Sequence, residues 1–359
     1  MNRIKSFFKS KPEILTGNIY KTVTLLALPI VLSNLIQTLY TMTDAFWLGK
    51  VGRSALIAPS ITFNLLFVFL ALAGGLAGAG LTMVGQQKGA KNEDMVNRIS
   101  ENTIIVVLIF ASVLAGLGFI FASPILKLLN TPPDAFIDSL TYLRITFLGV
   151  PFVFGYYIFQ GLMQGYGDTV TPLKLSSLTV LLNVVLDPIL IFGIKGIIPP
   201  MGVAGAAIAT IFSESISAFL GLYFLSTGRY GIKTSFKNFK FDSAIIREII
   251  KIGFPMSLSQ IGTALGFTVL MGFVNYYGSA VAGAFGVGNR VLNMLMVPAI
   301  ALQIACGAMI AQNIGAGQIK RVNEIVWKTV TLNFLIVSIM STILFLYGNI
   351  ITMLFINDP

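Results

Sequence analysis

The chain has 359 residues, 55% of them hydrophobic and 11% charged, with mean hydropathy +0.85 and formal net charge +10. A water-soluble domain carries about 25% charged residues, so a soluble fold is excluded and most of the surface must face lipid. The absence of His and the single Cys exclude imidazole metal ligands, His proton relays and an intrachain disulfide; Cys306, inside an apolar run, is expected to pack.

Apolar runs predict nine spans and an all-α membrane protein, since about 20 apolar residues in a helix cross the hydrocarbon core. The first run, 22–49, is too long for a signal-peptide core and is expected to be retained. It carries Asp44 in YTMTDAFWLG. The second, 55–84, contains GGLAGAG, which without a following GK[ST] predicts close helix packing and not a phosphate loop. The third, 102–123, is unbroken by charge, and the fourth, 135–163, contains Arg144. The fifth, 169–194, holds Asn183 and Asp187 in LLNVVLDPILIF, one turn apart on one face. Pro188 has no amide proton, which frees the carbonyl of Val184. The sixth, 201–226, carries Thr210 in AGAAIATIF and Glu214 in SESIS. A linker follows, in which SFKNFKF (235–241) alternates Phe with Lys and polar residues and is expected to lie on the inner leaflet. Spans 248–277, 281–311 (with Arg290) and 325–348 complete the series.

The basic residues are unevenly placed. Arg3, Lys5, Lys9, Lys11, Lys88, Lys91, Arg229, Lys233, Lys237, Lys240, Lys320 and Arg321 fall in the amino-terminal tail and even-numbered loops, whereas the opposite side holds Lys50, Arg53, Lys127 and Lys195. The positive-inside rule then puts the amino terminus in the cytoplasm, and the charge needs no nucleic-acid partner to explain it.

MVGQQKGAKNEDMVNRI (83–99) recurs as MIAQNIGAGQIKRVNEI (309–325), 226 residues later, with Met, Gln, Gly, Ala, Val, Asn and Ile repeated in place. LALPIVLSNL (Leu26–Leu35) matches IGFPMSLSQI (Ile252–Ile261) at the same offset. Spans 7–9 therefore repeat spans 1–3, and the unit is six spans. Six is even, so the copies are parallel and related by an axis along the membrane normal, one known transporter architecture. The expected organisation is an amino-terminal lobe (1–226), a cytoplasmic linker (227–243) and a carboxy-terminal lobe (244–359) that stops after about three spans. By repeat logic the chain is expected to be a fragment of a twelve-span protein. The repeated polar stretch is read as a cap and turn, with Gly89 and Gly315 at helix ends.

Asp44, Arg144, Asp187, Glu214 and Arg290 are ionisable residues inside spans, each costing at least about 2.5–3.5 kcal/mol at a helix centre unless paired or hydrated. Asp44 and Asp187 are each about eight residues, roughly 12 Å, from the outer end of their spans and so share a depth. Two carboxylates with Asn183, Thr210 and a free carbonyl offer oxygen ligands to Na⁺, or can share a proton, because close carboxylates raise one another's affinity for it. The competing reading has each acid pair with Arg144 or cap a helix break. Glu214 could extend this network or face a wet cleft, and Arg290 reads as an anchor between helices.

LPIVLSNLIQTLYTMTDAFWLG, QGLMQGYGDTVTPL and NVVLDPILIFG, set in two parallel repeats, together resemble the multidrug and toxic compound extrusion family, in the branch related to DNA-damage-inducible protein F. The resemblance runs in order over nearly the whole chain. It implies a V of two lobes in the cytoplasmic membrane that exports cationic or lipophilic compounds against H⁺ or Na⁺, acting as a monomer with no other cofactor. It also implies an amino-terminal cation site at Asp44, Asn183, Asp187 and Thr210, with Gln160 of IFQGLMQG beside it. Where some members have a glutamate after the seventh-span proline, this chain has Thr263. The alternatives are a flippase for lipid-linked oligosaccharides, which calls for cations lining the cavity, and a non-functional fragment of an exporter. An integral-membrane enzyme would need a nucleophile or metal constellation that the sequence does not display.

Overall fold

A computed structural model describes residues 12–353. Among these residues nine helices are long and apolar enough to cross a membrane. They are α1 (Ile19–Val51), α2 (Arg53–Gly89), α3 (Glu93–Leu128), α4 (Pro133–Tyr166), α5 (Val170–Phe192), α6 (Gly202–Thr227), α7 (Ser243–Tyr276), α8 (Ser279–Gly315) and α9 (Ile319–Met353). Each predicted span falls on one of them. Most outrun their spans because capping carries the helix past the apolar run. Asn92, for example, accepts a hydrogen bond from the Met95 amide and starts α3 at Glu93 and Asp94, the favoured acids of a first turn.

The helices pack through small residues, as expected where lipid tails are as apolar as the core and only close contact separates helix from lipid. α2 is central and touches α4, α7 and α8; α4 also packs on α3 and α6, and α5 on α6 and α1. The GGLAGAG segment is indeed a packing surface. A β-carbon on Gly75 would lie 2.0 Å from Ser257 Oγ of α7, and one on Gly161 of α4 would lie 2.4 Å from the Ala77 carbonyl oxygen. Phe147, Phe154, Phe159, Leu143 and Leu162 of α4 fill the core beside Val107 and Ala111 of α3. α1 divides its allegiance. Val23, Leu26 and Ile30 pack with Ala301, Ala305 and Met309 of α8, while Leu48 near its other end packs with Tyr142, Ile191, Val203 and Ala206. That second half carries Asp44 into the bundle of α4, α5 and α6. Outward faces carry large apolar side chains, with Phe345 88% and Ile120 66% exposed, tenable only against lipid.

The repeated polar stretch fastens one copy to the other. The C-terminal ends of α2 and α8 cross so closely that a β-carbon on Gly89 would meet the Gln312 carbonyl oxygen at 1.8 Å, and one on Gly315 would meet that of Gln86 at 1.8 Å. Gly89 and Gly315 do end their helices, as expected, but neither supplies the left-handed residue of the turn that follows. The left-handed residues are Lys91 (φ 59°) and Gly317 (φ 71°), so Gly89 and Gly315 are required by the crossing, not by the turn. Polar straps run both ways across the same end. On α3, Asn97 accepts from the Lys233 amide, Glu101 from the Ser235 amide and Asn102 from the Asp242 amide, and Arg98 pairs with Asp242 at 2.8 Å. In return, Asn313 of α8 and Arg321 of α9 donate to the Ile14 carbonyl just before α1. The linker is thus tied to α3, with Phe236 and Phe241 exposed.

Candidate functional site

The site is built where the α1 half carrying Asp44 meets α5 and α6. Asp168 opens α5 by accepting the Val170 and Thr171 amides at 2.9 Å each, after a left-handed Gly167 (φ 98°). This makes the GYGDT motif a turn and cap. α5 then presents Thr179, Asn183 and Asp187 on one buried face, at one-turn spacing. Asn183 donates Nδ2–H to Asp187 Oδ1 at 3.1 Å, and both residues are fully buried. The half-buried Asp44 carboxyl is near enough to Asp187 and Asn183 to interact with both electrostatically, though no hydrogen bond joins it to either among the described residues.

Three acceptor oxygens here are buried and receive no hydrogen bond: Asp44 Oδ1, Asp187 Oδ2 and Asn183 Oδ1. Buried acceptors without donors are costly, so oxygens gathered this way suit a shared proton or a hard cation. Among the described residues no group of three or more His, Cys, Asp or Glu side chains forms. A bound cation would therefore take two carboxylates and complete its shell with neutral oxygens.

Thr210 enters indirectly. Its Oγ1 accepts from Tyr40 Oη at 3.0 Å, and Tyr40 lies one turn before Asp44 on α1. Tyr142 of α4, also buried, is within electrostatic reach of both carboxyls. Sequence reading did not single out Tyr40 or Tyr142; the one signal was Tyr40's place one turn before Asp44 on its span. Gln160 is half-buried on α4, and no hydrogen bond joins it to the pair. Glu214 stands one turn beyond Thr210 on α6, within electrostatic reach of Tyr40, Tyr156 and Tyr157.

The reading in which Arg144 neutralises the acids is not what forms. Among the described residues no ion pair joins Arg144 to Asp44, Asp187 or Glu214. Its guanidinium stands over the Phe119 ring at 5.3 Å, a cation–π contact between α3 and α4. Arg290 lies on α8, and its side chain is outside the described residues, as are the basic residues of the first eleven positions and the last six residues of the chain. Thr263 of α7 is exposed and donates to its own helix at the Ser259 carbonyl.

A bundle of helices long and apolar enough to cross a membrane, holding a buried acidic pair, is the build of a small-molecule transporter. The chain belongs to the MatE family, whose profile matches residues 29–189 and 255–359. It is 29% identical over 354 residues to the probable multidrug resistance protein YoeA of Bacillus subtilis, covering 98% of this chain and 75% of that one. It is 32% identical over 346 residues to the probable multidrug resistance protein YpnP of the same organism, covering 96% and 76%. A third relative, the FAD transporter of Shewanella oneidensis, is 26% identical over 355 residues, covering 98% and 77%. Among solved structures, the outward-facing conformation of a multidrug resistance MATE family transporter of the MOP superfamily superposes with a TM-score of 0.88 at 22% identity, over 97% of this chain and 77% of that one. That likeness establishes the all-α MATE fold.

Proposed function

We propose that the protein is a secondary active exporter of cationic or lipophilic compounds, driven by H⁺ or Na⁺ entering against them across the cytoplasmic membrane. The observation that carries this reading is the convergence of Asp44, Asp187 and Asn183 with three donor-less oxygens inside the bundle. A carboxyl pair in the membrane is stable only when neutralised or hydrated, so its occupancy by an ion favours one arrangement of the helices over another. An ion gradient can then bias that equilibrium. Thr210 takes part through Tyr40, and Gln160 is a neighbour of the same interior. The multidrug names of the two Bacillus relatives support the substrate class. In this reading residues 1–226 and 244–359 are the two lobes, 227–243 is the linker, the tail and even-numbered loops face the cytoplasm, and the unit is a monomer.

The test is efflux of a fluorescent cation from membrane vesicles with ΔpH and a Na⁺ gradient imposed separately. One of the two gradients should drive efflux and its collapse should stop it. Efflux that follows neither gradient would remove the antiport mechanism.

A further inference from the structure

The linker and the first turns of α7 build a surface that the coupling site does not use. Asn102 of α3 clamps the backbone on both sides of Phe241. Its Nδ2 donates to the Lys240 carbonyl at 3.4 Å, and its Oδ1 accepts from the Asp242 amide at 3.0 Å. Asp242 in turn caps α7, accepting the Ala244 and Ile245 amides on Oδ1 while Oδ2 pairs with Arg98 at 2.8 Å. Ile245 and Ile249 point into the core, so their neighbours along the helix point away from it. The result is a groove of about 480 Å³ lined by Phe241, Ser243, Ile246, Arg247, Ile250 and Lys251.

One side of the groove is apolar: Phe241, Ile250 and, one turn further along α7, Phe254 are each more than half exposed. The other side is cationic. Arg247 forms no ion pair among the described residues, and Lys251 meets Glu248 at 3.4 Å in an exposed pair, which is worth little. Lys233, Lys237 and Lys240 add charge along the linker, whose acid, Asp242, is already spent on Arg98. Large apolar side chains this exposed at the start of a span belong in lipid, and cations level with them belong among headgroups. The first copy of the repeat turns the same face outward. At the 226-residue offset Arg247, Ile250 and Phe254 correspond to Lys21, Thr24 and Leu28, which are exposed although α1 is packed on α5 and α8. We propose that the groove binds an anionic phospholipid. Its phosphodiester is held by Arg247, Lys251 and the Ser243 hydroxyl, and its acyl chain runs along Ile250 and Phe254. A zwitterionic headgroup brings a cation of its own and gains little from the two basic side chains, so the groove selects by headgroup charge.

The experiment is photo-crosslinking of the whole chain in phosphatidylcholine nanodiscs. These carry a trace of phosphatidylglycerol or of phosphatidylcholine with a diazirine in the acyl chain, and mass spectrometry reads labelling of the peptide that holds Ile250 and Phe254. Phosphatidylglycerol should label that peptide at least about tenfold more than phosphatidylcholine, since each basic side chain near a headgroup contributes about fivefold. Arg247→Gln combined with Lys251→Gln should bring the ratio below about threefold. Phosphatidylcholine labelling should stay unchanged in that variant, which shows that α7 is still folded and faces lipid. Arg247→Lys combined with Lys251→Arg keeps both charges and should keep the ratio. Millimolar inorganic phosphate should not compete, because the acyl chain contributes to binding. The proposal is overturned if the two lipids label the peptide equally, if neither labels it, or if the glutamine variant keeps the wild-type ratio. It is equally overturned if the charge-keeping variant loses the ratio or if inorganic phosphate abolishes it. Transport plays no part in the readout, so failure of the antiport reading leaves this result untouched.

Discussion

At Asp187 the chain commits a carboxylate to a fully buried position and supports it with a single donor, the amide of Asn183 one turn earlier. One hydrogen bond does not satisfy two carboxylate oxygens, and the remainder is what the proposed coupling ion would occupy. Asp187→Asn keeps the volume and removes the charge, so it should fold and lose gradient-driven efflux; an active Asp187→Asn would take Asp187 out of the coupling. Tyr40→Phe removes the donor to Thr210, a bond worth about 1 kcal/mol, and should raise the half-saturating concentration of the coupling ion about fivefold. An unchanged ion dependence would mean that the Tyr40–Thr210 bond is purely architectural. Asp44, Asn183 and Asp187 were legible in the sequence because polar groups in apolar runs are expensive. Tyr40 and Tyr142 were not, because tyrosine is at home in many positions of a membrane helix and only the packing of α1 on α4 and α6 shows their part.

Between elements, the α2–α8 crossing makes the sharpest demand on composition. Gly89→Ala and Gly315→Ala each place a methyl where the partner helix has a backbone carbonyl, which no rotamer change can relieve. Each should cost about 1–3 kcal/mol, read as a lower melting temperature of the detergent-solubilised protein. Gly116→Ala on α3 is the control: nothing lies within 4 Å of its β-carbon, and alanine is the better helix former. Equal melting temperatures for Gly89→Ala and Gly116→Ala would refute the crossing. The repeat itself was plain from the 226-residue offset, but its purpose was not. A glycine at a helix end looks like a cap, and the left-handed positions at Lys91 and Gly317 emerge only from the backbone. Helix starts were likewise missed by several residues where Asn92 or Asp242 caps a polar first turn.

For the whole molecule, the placement of basic residues predicts that single cysteines at Lys88, Lys233 and Lys320 resist a membrane-impermeant thiol reagent added outside intact cells. Labelling at any of the three would invert the proposed orientation. The fold class was readable because membrane spans need only length and apolarity. The packing was not, because contacts such as Gly75 on Ser257 join segments far apart in sequence. Among the described residues α7 and α9 are much less covered than α1 to α6. The central claim is that ion occupancy of the Asp44–Asp187 pair drives export. It is tested most directly by efflux from everted vesicles carrying Asp44→Asn, normalised to monodisperse protein, with the driving gradient imposed. The account predicts a well-folded variant, because among the described residues no arginine pairs with Asp44, whose efflux no longer responds to the gradient. Wild-type, gradient-driven efflux by Asp44→Asn would contradict it.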